Sequence, residues 1–245
     1  MLSLFHTILL FIALSAWALC ISAFSTTAAG RFLSSSHHPL RQPYPTILFN
    51  TKIDEVITSN DTNYNNSTSP SSSKDKAAII FLHGLGDSPD GWASLAEALP
   101  NLRPDTLAKL DITYVFPPAN MVAITVNGGE KMPGWFDVYD WPIGVDAKDD
   151  PKGLAMSVKR IEKIVTQLKE EEGIPPSRVV LGGFSQGGAV AIMAAYNRRR
   201  KEAIPFAGCI CMSGWLPMKD YLDVDTKSAT TPLFWAHGQV SSFFL

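Results

Sequence analysis

The chain has 245 residues, of which 46% are hydrophobic, and a formal net charge of −2 at pH 7. This length and composition are typical of one soluble domain with additional segments, and the balanced charge gives no electrostatic reason to expect binding to nucleic acid. The chain has three cysteines. Two of them, Cys209 and Cys211, point to the same face of a predicted strand, which indicates buried thiols and neither a disulfide framework nor a metal site.

The first 30 residues are a candidate targeting segment. No Asp, Glu, Lys or Arg precedes Arg31, and residues 8–21 form a largely apolar run. This run is shorter than the about 20 apolar residues that a membrane-spanning helix needs, and it fits the core of a secretory signal peptide. Two interpretations stay open. Residues 1–30 are either a cleaved signal peptide or an uncleaved signal anchor over residues 2–24, and an anchor would place the protein in contact with a membrane.

Residues 31–76 are rich in Ser, Thr, Asn and Pro and are predicted to be a disordered linker. They contain too little apolar surface to offset the entropy that ordering would cost. Glycosylation sequons begin at Asn60, Asn65 and Asn66, which agrees with entry into the secretory pathway, although such short motifs arise easily in a segment of this composition. The scarcity of cysteine suits the cytoplasm equally well, so a cytoplasmic location remains the alternative.

From residue 77 to residue 245 the chain is predicted to form one domain, in which short apolar runs alternate with helical periodicity. The predicted strands are 77–82, 112–116, 179–181, 206–212 and 233–236, and the predicted helices are 92–99, 153–172 and 186–197. Strands separated by helices favour parallel pairing through right-handed crossovers. The fold class is therefore α/β, with an open, mostly parallel sheet covered by helices on both faces. In such sheets the catalytic groups collect at the carboxyl ends of the strands.

A candidate nucleophile lies directly after the predicted strand 179–181. The segment matches G-x-S-x-G and leads into a helix, and its residues are Gly183-Phe184-Ser185-Gln186-Gly187. A serine in this context sits on a sharp strand-to-helix turn, and the flanking glycines relieve the crowding that such a turn creates. The alternative interpretation is a tight turn that contains an incidental serine.

Four motifs in the same order resemble those of one family. They are His83-Gly84-Leu85-Gly86-Asp87, then residues 127–137 with Asn-Gly-Gly and Met-Pro-Gly-Trp-Phe-Asp, then residues 182–188, and then Ser213-Gly214-Trp215-Leu216-Pro217. Over residues 77–238 the chain resembles the acyl-protein thioesterase and small carboxylesterase group (the phospholipase/carboxylesterase family) of α/β-hydrolases. Residues 1–76 have no counterpart in the compact cytosolic members of that group.

The resemblance implies a role for each matching position. Ser185 corresponds to the nucleophile, and the backbone N–H groups of Leu85 and Gln186 correspond to the oxyanion hole. His83 corresponds to a structural residue that holds the oxyanion loop, rather than to a base. The residues that correspond to parts of the acyl-binding wall, or alternatively to ordinary core and loop packing, are Met132, Trp135, Phe136 and Trp215. The resemblance implies no cofactor.

The region after residue 236 departs from the family pattern. A serine hydroxyl needs a neighbouring base, and the family supplies it through an acid and a histidine that follow the serine. The family acid lies in His-Gly-x-x-Asp, whereas this chain has His237-Gly238-Gln239-Val240-Ser241, and the family histidine lies beyond Leu245. The triad Asp and His are therefore predicted to be absent from this chain. The hydrolase domain is expected to be C-terminally incomplete, as in a truncated isoform.

The sequence predicts a serine hydrolase that cleaves acyl thioesters or carboxylic esters, with an acylated protein or a small acyl ester as substrate. Because two triad members are missing, the activity of this chain is expected to be weak. The rival hypothesis is a catalytically inert acyl-binding or protein-binding relative, or a non-functional truncated product. Because labelling needs an activated hydroxyl, a fluorophosphonate is expected to label Ser185 faintly or not at all. Ester hydrolysis by a chimera with a family-like C-terminal segment, and its loss in Ser185→Ala, would distinguish the two hypotheses.

Overall fold

A computed structural model of the chain describes residues 76–104, 107, 110–144, 146–196, 204–224 and 226–237. The candidate targeting segment, nearly all of the predicted linker and the tail after His237 lie outside the described residues, so the predictions made for them stay predictions. Among the residues that are described, no helix combines the length and the apolar character needed to cross a membrane.

The domain is built on a five-stranded parallel sheet, which confirms the predicted fold class. The strand order is β2-β1-β5-β6-β7, and every neighbouring pair is parallel. These strands are β1 (Lys76–Leu82), β2 (Asp111–Val115), β5 (Val179–Phe184), β6 (Gly208–Met212) and β7 (Leu233–Ala236). The order places the ends of β1, β5 and β6 side by side at the centre of the carboxyl edge.

Three helices cover the two faces of the sheet. They are α1 (Leu95–Leu102), α2 (Pro151–Glu171) and α3 (Gln186–Tyr196). On one face α1 packs Leu95 and Leu99 against apolar side chains of β1, β5 and β6. On the other face α2 and α3 enclose the larger core cluster. The predicted spacing of apolar residues in α2 is confirmed, because Leu154, Val158, Ile161, Val165 and Leu168 are all buried.

The predicted first helix is wrong at both ends. It begins at Leu95 rather than at residue 92, and it continues through Pro100 to Leu102. A proline inside a helix removes one backbone hydrogen bond and crowds the carbonyl four residues earlier. Here the core contacts of Leu95 and Leu99, which are 2% and 1% exposed, outweigh that local penalty. Tertiary burial therefore decides where this helix ends.

The sequence analysis missed an antiparallel hairpin formed by β3 (Asn120–Ile124) and β4 (Glu130–Gly134). Its turn contains Gly128 and Gly129, whose φ angles of +68° and +82° lie in the left-handed region. Such angles favour glycine, so the Asn-Gly-Gly sequence was an available signal for this turn. The hairpin delivers residues 135 and 136 to the carboxyl edge of the sheet.

The strand that carries the two central cysteines agrees with its prediction in its burial pattern. Cys209 and Cys211 are both free and fully buried, and both belong to the same core cluster. Burial raises the pKa of the Cys211 thiol to about 12. The thiol is therefore protonated at neutral pH and acts as a small apolar group in the core.

Candidate active site

Ser185 occupies the single residue between β5 and α3, in a strained backbone conformation. Its φ angle is +52°, which a residue other than glycine adopts at a cost of about 1–2 kcal/mol. Two backbone hydrogen bonds hold the turn in place. The Ser185 N–H donates to Met212 O at 2.8 Å, and the Ala189 N–H donates to Ser185 O at 3.1 Å. Ser185 is partly exposed, whereas the helix that follows is wholly buried.

The two glycines of the G-x-S-x-G motif are required by close backbone contacts. A Cβ atom on Gly187 would overlap with the carbonyl oxygen of Leu82 and would lie 2.5 Å from that of His83. A Cβ atom on Gly183 would lie 2.5 Å from the carbonyl oxygen of Gly187. The start of α3 is therefore pressed directly against the end of β1. This contact fixes the position of Ser185 relative to the loop that follows β1.

That loop, residues 83–87, contains Leu85 and is tied down by backbone and side-chain bonds. The Gly86 N–H donates to Pro133 O at 2.8 Å, which joins the loop to β4. The Asp87 carboxylate accepts from the Ser88 N–H at 2.7 Å and from the Trp92 indole N–H at 2.9 Å. These bonds fix the path of the loop next to the serine turn, and the oxyanion role that the resemblance implies for Leu85 stays a prediction.

His83 is a buried neutral residue that supports the loop. It is 1% exposed, and its Nε2 accepts from the Ala119 N–H at 3.1 Å. Its Nδ1 lies 2.8 Å from Gly84 O, so Nδ1 carries the proton and donates it to that carbonyl. Burial lowers the pKa of His83 below its ordinary value. Both ring nitrogens are already engaged, which leaves this histidine unavailable as a base for Ser185.

The side chain of Gln186 joins the serine turn to the segment that follows β4. Gln186 is 1% exposed; its Oε1 accepts from the Trp135 N–H at 2.9 Å, and its Nε2 donates to Phe136 O at 2.6 Å. The Trp135 indole N–H donates to His83 O at 2.9 Å, and the Ser157 hydroxyl donates to Trp135 O. These bonds connect the ends of β1, β4 and β5 with α2. The sequence analysis assigned Gln186 a backbone role, which stays a prediction, and missed the bonds of its side chain and of Ser157.

A cavity of about 550 Å³ opens beside this network. Its walls come from the loops 136–149 and 214–221, and Trp235 of β7 contributes one side. The volume lies within the range of about 300–1,000 Å³ that is typical of small-molecule sites. Two of the four predicted wall residues, Phe136 and Trp215, line the cavity, and their rings meet edge to face with centroids 5.8 Å apart.

The other two predicted wall residues lie elsewhere. Trp135 is 3% exposed, and its indole N–H donates to His83 O. It is therefore part of the buried hydrogen-bond network next to the cavity. Met132 lies on β4, where its sulfur accepts a hydrogen bond from the Asn127 amide at 3.6 Å. Neither residue lines the cavity.

The cavity and the serine turn are neighbours through Gly214, although Ser185 itself does not line the cavity. Gly214 lines the cavity, and a Cβ atom on it would lie 2.9 Å from Ser185 O and 2.6 Å from Cys211 Sγ. The preceding residue, Ser213, is a second non-glycine residue in the left-handed region, with φ +50°, and its N–H donates to Ala236 O at 2.7 Å. A serine in the left-handed region therefore follows the end of each of the neighbouring strands β5 and β6.

His237 follows β7 directly at the same edge of the sheet and is exposed. Gly238 to Ser241, where the sequence departs from the family pattern, lie outside the described residues. Within the described ranges no group of three or more His, Cys, Asp or Glu side chains is arranged to hold a metal ion.

These features define an α/β-hydrolase. The sheet is parallel, a strained serine lies between a central strand and a buried helix, and a hydrogen-bonded loop follows the neighbouring strand. The sequence profile of the Phospholipase/Carboxylesterase family matches residues 63–244. The chain belongs to this family, as its motifs predict. It is thus a member of a serine hydrolase family of the thioesterase and carboxylesterase type.

Individual relatives agree with this assignment. The chain is 36% identical over 172 residues to acyl-protein thioesterase 1 of Yarrowia lipolytica, which covers 69% of this chain and 71% of that protein. The crystal structure of Arabidopsis thaliana SOBER1 is similar with a TM-score of 0.57 and 27% identity, over 66% of this chain and 73% of the other. For Zea mays acyl-protein thioesterase 2 the TM-score is 0.52 and the identity 29%, over 66% and 70% of the two chains.

Proposed function

We propose that Ser185 is the nucleophile of an acyl thioester or carboxylic ester hydrolase. The observation that carries this proposal is the strained turn at Ser185, which glycine-only backbone contacts hold beside Gly214, a residue that lines the cavity. Strain of this kind persists only where the surrounding structure enforces it, and it is concentrated at functional sites. A buried, unstrained serine would have provided no such support.

In the proposed reaction the Ser185 oxygen attacks the acyl carbonyl carbon while its proton passes to a base. The negative charge that develops on the carbonyl oxygen is stabilised by the backbone N–H groups of Leu85 and Gln186. The tetrahedral intermediate then collapses, and a thiol or an alcohol leaves with a proton. Water hydrolyses the resulting acyl-serine ester, which releases the carboxylic acid and restores the hydroxyl.

The acyl chain is proposed to lie in the cavity between the loops 136–149 and 214–221. Phe136, Leu216 and Trp215 offer apolar surface there, and Gly214 brings that surface next to Ser185. Apolar contact of this kind suits the hydrocarbon part of an acylated protein or of a small acyl ester. No cofactor is needed for this reaction.

The residue at the family's acid position is proposed to weaken the activation of Ser185. That position is Ser241 in this chain. A serine hydroxyl does not stabilise a protonated histidine as a carboxylate does, and loss of the triad acid lowers turnover by about 10⁴.

Labelling with a fluorophosphonate tests the nucleophile and the activation of its hydroxyl group. The purified chain, its Ser185→Ala variant and a chimera that carries a family-like C-terminal segment are incubated with the probe. Mass spectrometry locates the adduct, and release of p-nitrophenol from an acyl ester is measured in parallel. We expect faint labelling of the chain, strong labelling of the chimera at Ser185 only, and hydrolysis by the chimera that Ser185→Ala abolishes.

A soluble chimera that neither reacts nor hydrolyses the ester would contradict the esterase assignment and favour an acyl-binding or protein-binding relative. Vigorous labelling of the 245-residue chain would instead contradict the weakened activation of Ser185. His237 would then be the residue to replace, because it lies at the carboxyl end of β7.

We also propose that residues 1–30 direct the chain to the secretory pathway, either as a cleaved signal peptide or as an anchor that contacts the membrane. Support comes from the uncharged apolar N-terminus and from the sequons that follow it. Expression in eukaryotic cells should give a product with glycan on Asn60, Asn65 or Asn66, which an N-glycosidase removes. An unglycosylated product in the cytoplasm, with an intact N-terminus, would contradict this proposal.

A further inference from the structure

One wall of the cavity turns at a residue in an unfavourable backbone conformation. The loop 214–221 contributes Trp215, Leu216 and Met218 to the cavity. Met218 has φ +50° and ψ 40°, in the left-handed region that methionine rarely adopts. Without an opposing interaction, a residue of this type relaxes to a negative φ. The path of the loop, and with it the position of the Leu216 and Met218 side chains, therefore depends on what holds Met218.

The group that holds Met218 is the carboxylate of Asp149, which lies on the opposite wall. The Met218 N–H donates to Asp149 Oδ2 at 2.6 Å, a short distance that is typical of a charge-assisted hydrogen bond. In turn the carbonyl of Met218 accepts from the Tyr221 N–H at 2.9 Å, which closes the short turn that follows. The Met218 side chain packs against the core, and this bond is the side-chain contact that holds its backbone where the loop reverses direction.

Asp149 is anchored to the most regular part of the domain. The next residue, Asp150, caps helix α2 by accepting from the Gly153 N–H at 3.0 Å. The same carboxylate accepts from the Asp137 N–H at 3.0 Å, next to the cavity residue Phe136. The backbone at Asp149 is therefore held in place by the start of α2. Through its bond to Met218, Asp149 holds the loop 214–221 on the opposite side of the cavity.

We infer that Asp149 is a specificity-determining residue, which sets the acyl-chain length that the cavity accepts by holding Met218 in its left-handed conformation. This inference rests on the proposed function, because it assumes that the acyl chain occupies this cavity. When the bond is lost, Met218 relaxes and the wall formed by Leu216 and Met218 moves away from Phe136. The cavity then accepts longer chains.

A second contact between the two walls provides a matched control. Lys219 Nζ lies 3.0 Å from Asp146 Oδ1, but the Asp146 side chain is 91% exposed and that of Lys219 is 43% exposed. Exposed ion pairs of this kind contribute little, because water and salt screen them. Asp146→Ala removes an aspartate from the same loop without releasing Met218.

The experiment measures the binding of straight-chain fatty acids to the full chain, so that it does not depend on catalytic turnover. Displacement of a fluorescent fatty acid gives dissociation constants for saturated acids from hexanoic to hexadecanoic acid, below their micelle concentrations. Each additional buried methylene should strengthen binding about fourfold until the fatty-acid chain reaches the cavity wall. The chain length at which the affinity stops rising is the levelling point. In Asp149→Ala the levelling point should move to chains at least two carbons longer, and hexadecanoic acid should bind roughly tenfold more tightly.

Asp149→Asn keeps an oxygen that accepts from Met218 N–H, so it should keep the wild-type levelling point, as should Asp146→Ala. Asp149→Glu keeps the charge but displaces the carboxylate by about 1.5 Å, one C–C bond, and should move the levelling point even if Asp149→Ala fails to fold. The inference is overturned if folded Asp149→Ala and Asp149→Glu both keep the wild-type levelling point, or if the affinity of the wild-type chain does not level off within the series. If the wild-type chain binds no fatty acid at all, the proposed acyl cavity fails, and the inference fails with it.

Discussion

The carboxyl edge of the sheet has two halves that are built differently. Where β1 and β5 end, the serine turn is fixed by contacts between backbone atoms, and every residue of α3 is buried. Where β6 and β7 end, the cavity is enclosed by loops, and the β7 side chains Leu233 and Trp235 are 47% and 43% exposed. The serine turn is thus held by backbone contacts, whereas the facing cavity walls are joined by side-chain bonds such as those of Asp149 and Lys219.

The difference has a simple energetic basis. A backbone carbonyl that meets another backbone atom cannot move without displacing its whole strand, so a close contact there tolerates no change in volume. A loop held by one hydrogen bond changes position when about 1–3 kcal/mol is removed. Variation in substrate range is therefore expected in the loops 136–149 and 214–221, and not in the serine turn.

The largest effect is expected at Gly187. In Gly187→Ala the added methyl group overlaps with the carbonyl oxygen of Leu82, so α3 must move away from β1 or the domain must unfold. We expect a loss of stability of about 4 kcal/mol or more, in the range that marks a broken core contact. Gly144→Ala, where nothing lies within 4 Å of the new atom, is the control and should unfold at the wild-type urea concentration. Equal midpoints for the two variants would remove the basis for calling the serine turn rigid.

A second prediction compares two adjacent strands. Ile210 of β6 is 0% exposed and Leu233 of β7 is 47% exposed. Replacing a buried isoleucine with alanine destabilises a protein by about 2–5 kcal/mol, because the transfer free energy is lost and a cavity remains. We expect this loss for Ile210→Ala and less than about 1 kcal/mol for Leu233→Ala in urea unfolding. A loss for Leu233→Ala as large as that for Ile210→Ala would contradict the contrast between the two strands.

The third and smallest effect concerns His83 and pH. Because burial lowers the pKa of His83, the folded protein keeps it neutral at a pH where the unfolded chain protonates it. The stability contributed by His83 is therefore present above its ordinary pKa and is lost as the pH falls, by at most about 1.4 kcal/mol per pH unit.

The test compares the free energy of unfolding of the wild-type chain and of His83→Gln between pH 7 and pH 5.5. The glutamine amide oxygen can accept from the Ala119 N–H in place of Nε2, but it does not titrate. The wild-type chain should lose more stability than the variant as the pH falls. Identical slopes would show that His83 binds its proton equally well in both states, which would contradict its buried, neutral assignment.

Much of the fold could be predicted because the local signals agree with the tertiary structure. The apolar spacing in α2 matches its buried face, and Gly183, Ser185 and Gly187 predicted a strand-to-helix turn that the structure contains. The hairpin β3–β4 was missed although Asn127-Gly128-Gly129 carries its turn signal, since its strands have exposed residues and weak alternation.

The residues of the candidate site, like the elements of the fold, were predicted only in part. Phe136 and Trp215 were predicted as cavity residues and line the cavity, whereas Trp135, their neighbour in the same motif, lies behind it. Nothing in the local sequence distinguishes two adjacent aromatic residues in a loop. Only the direction in which the chain leaves β4 decides which ring faces the cavity and which one bonds to His83.

The sequence alone determined the α/β architecture, the serine turn and the family, because glycine tolerance and apolar periodicity are properties of neighbouring residues. The tertiary structure decided the path of α1 through Pro100, the buried bonds of Gln186 and the bond from Met218 to Asp149, which lies 69 residues away in the chain. Each of these depends on contacts between segments that are distant in sequence. Their strength follows from burial and geometry, and neither quantity can be calculated from one residue and its neighbours.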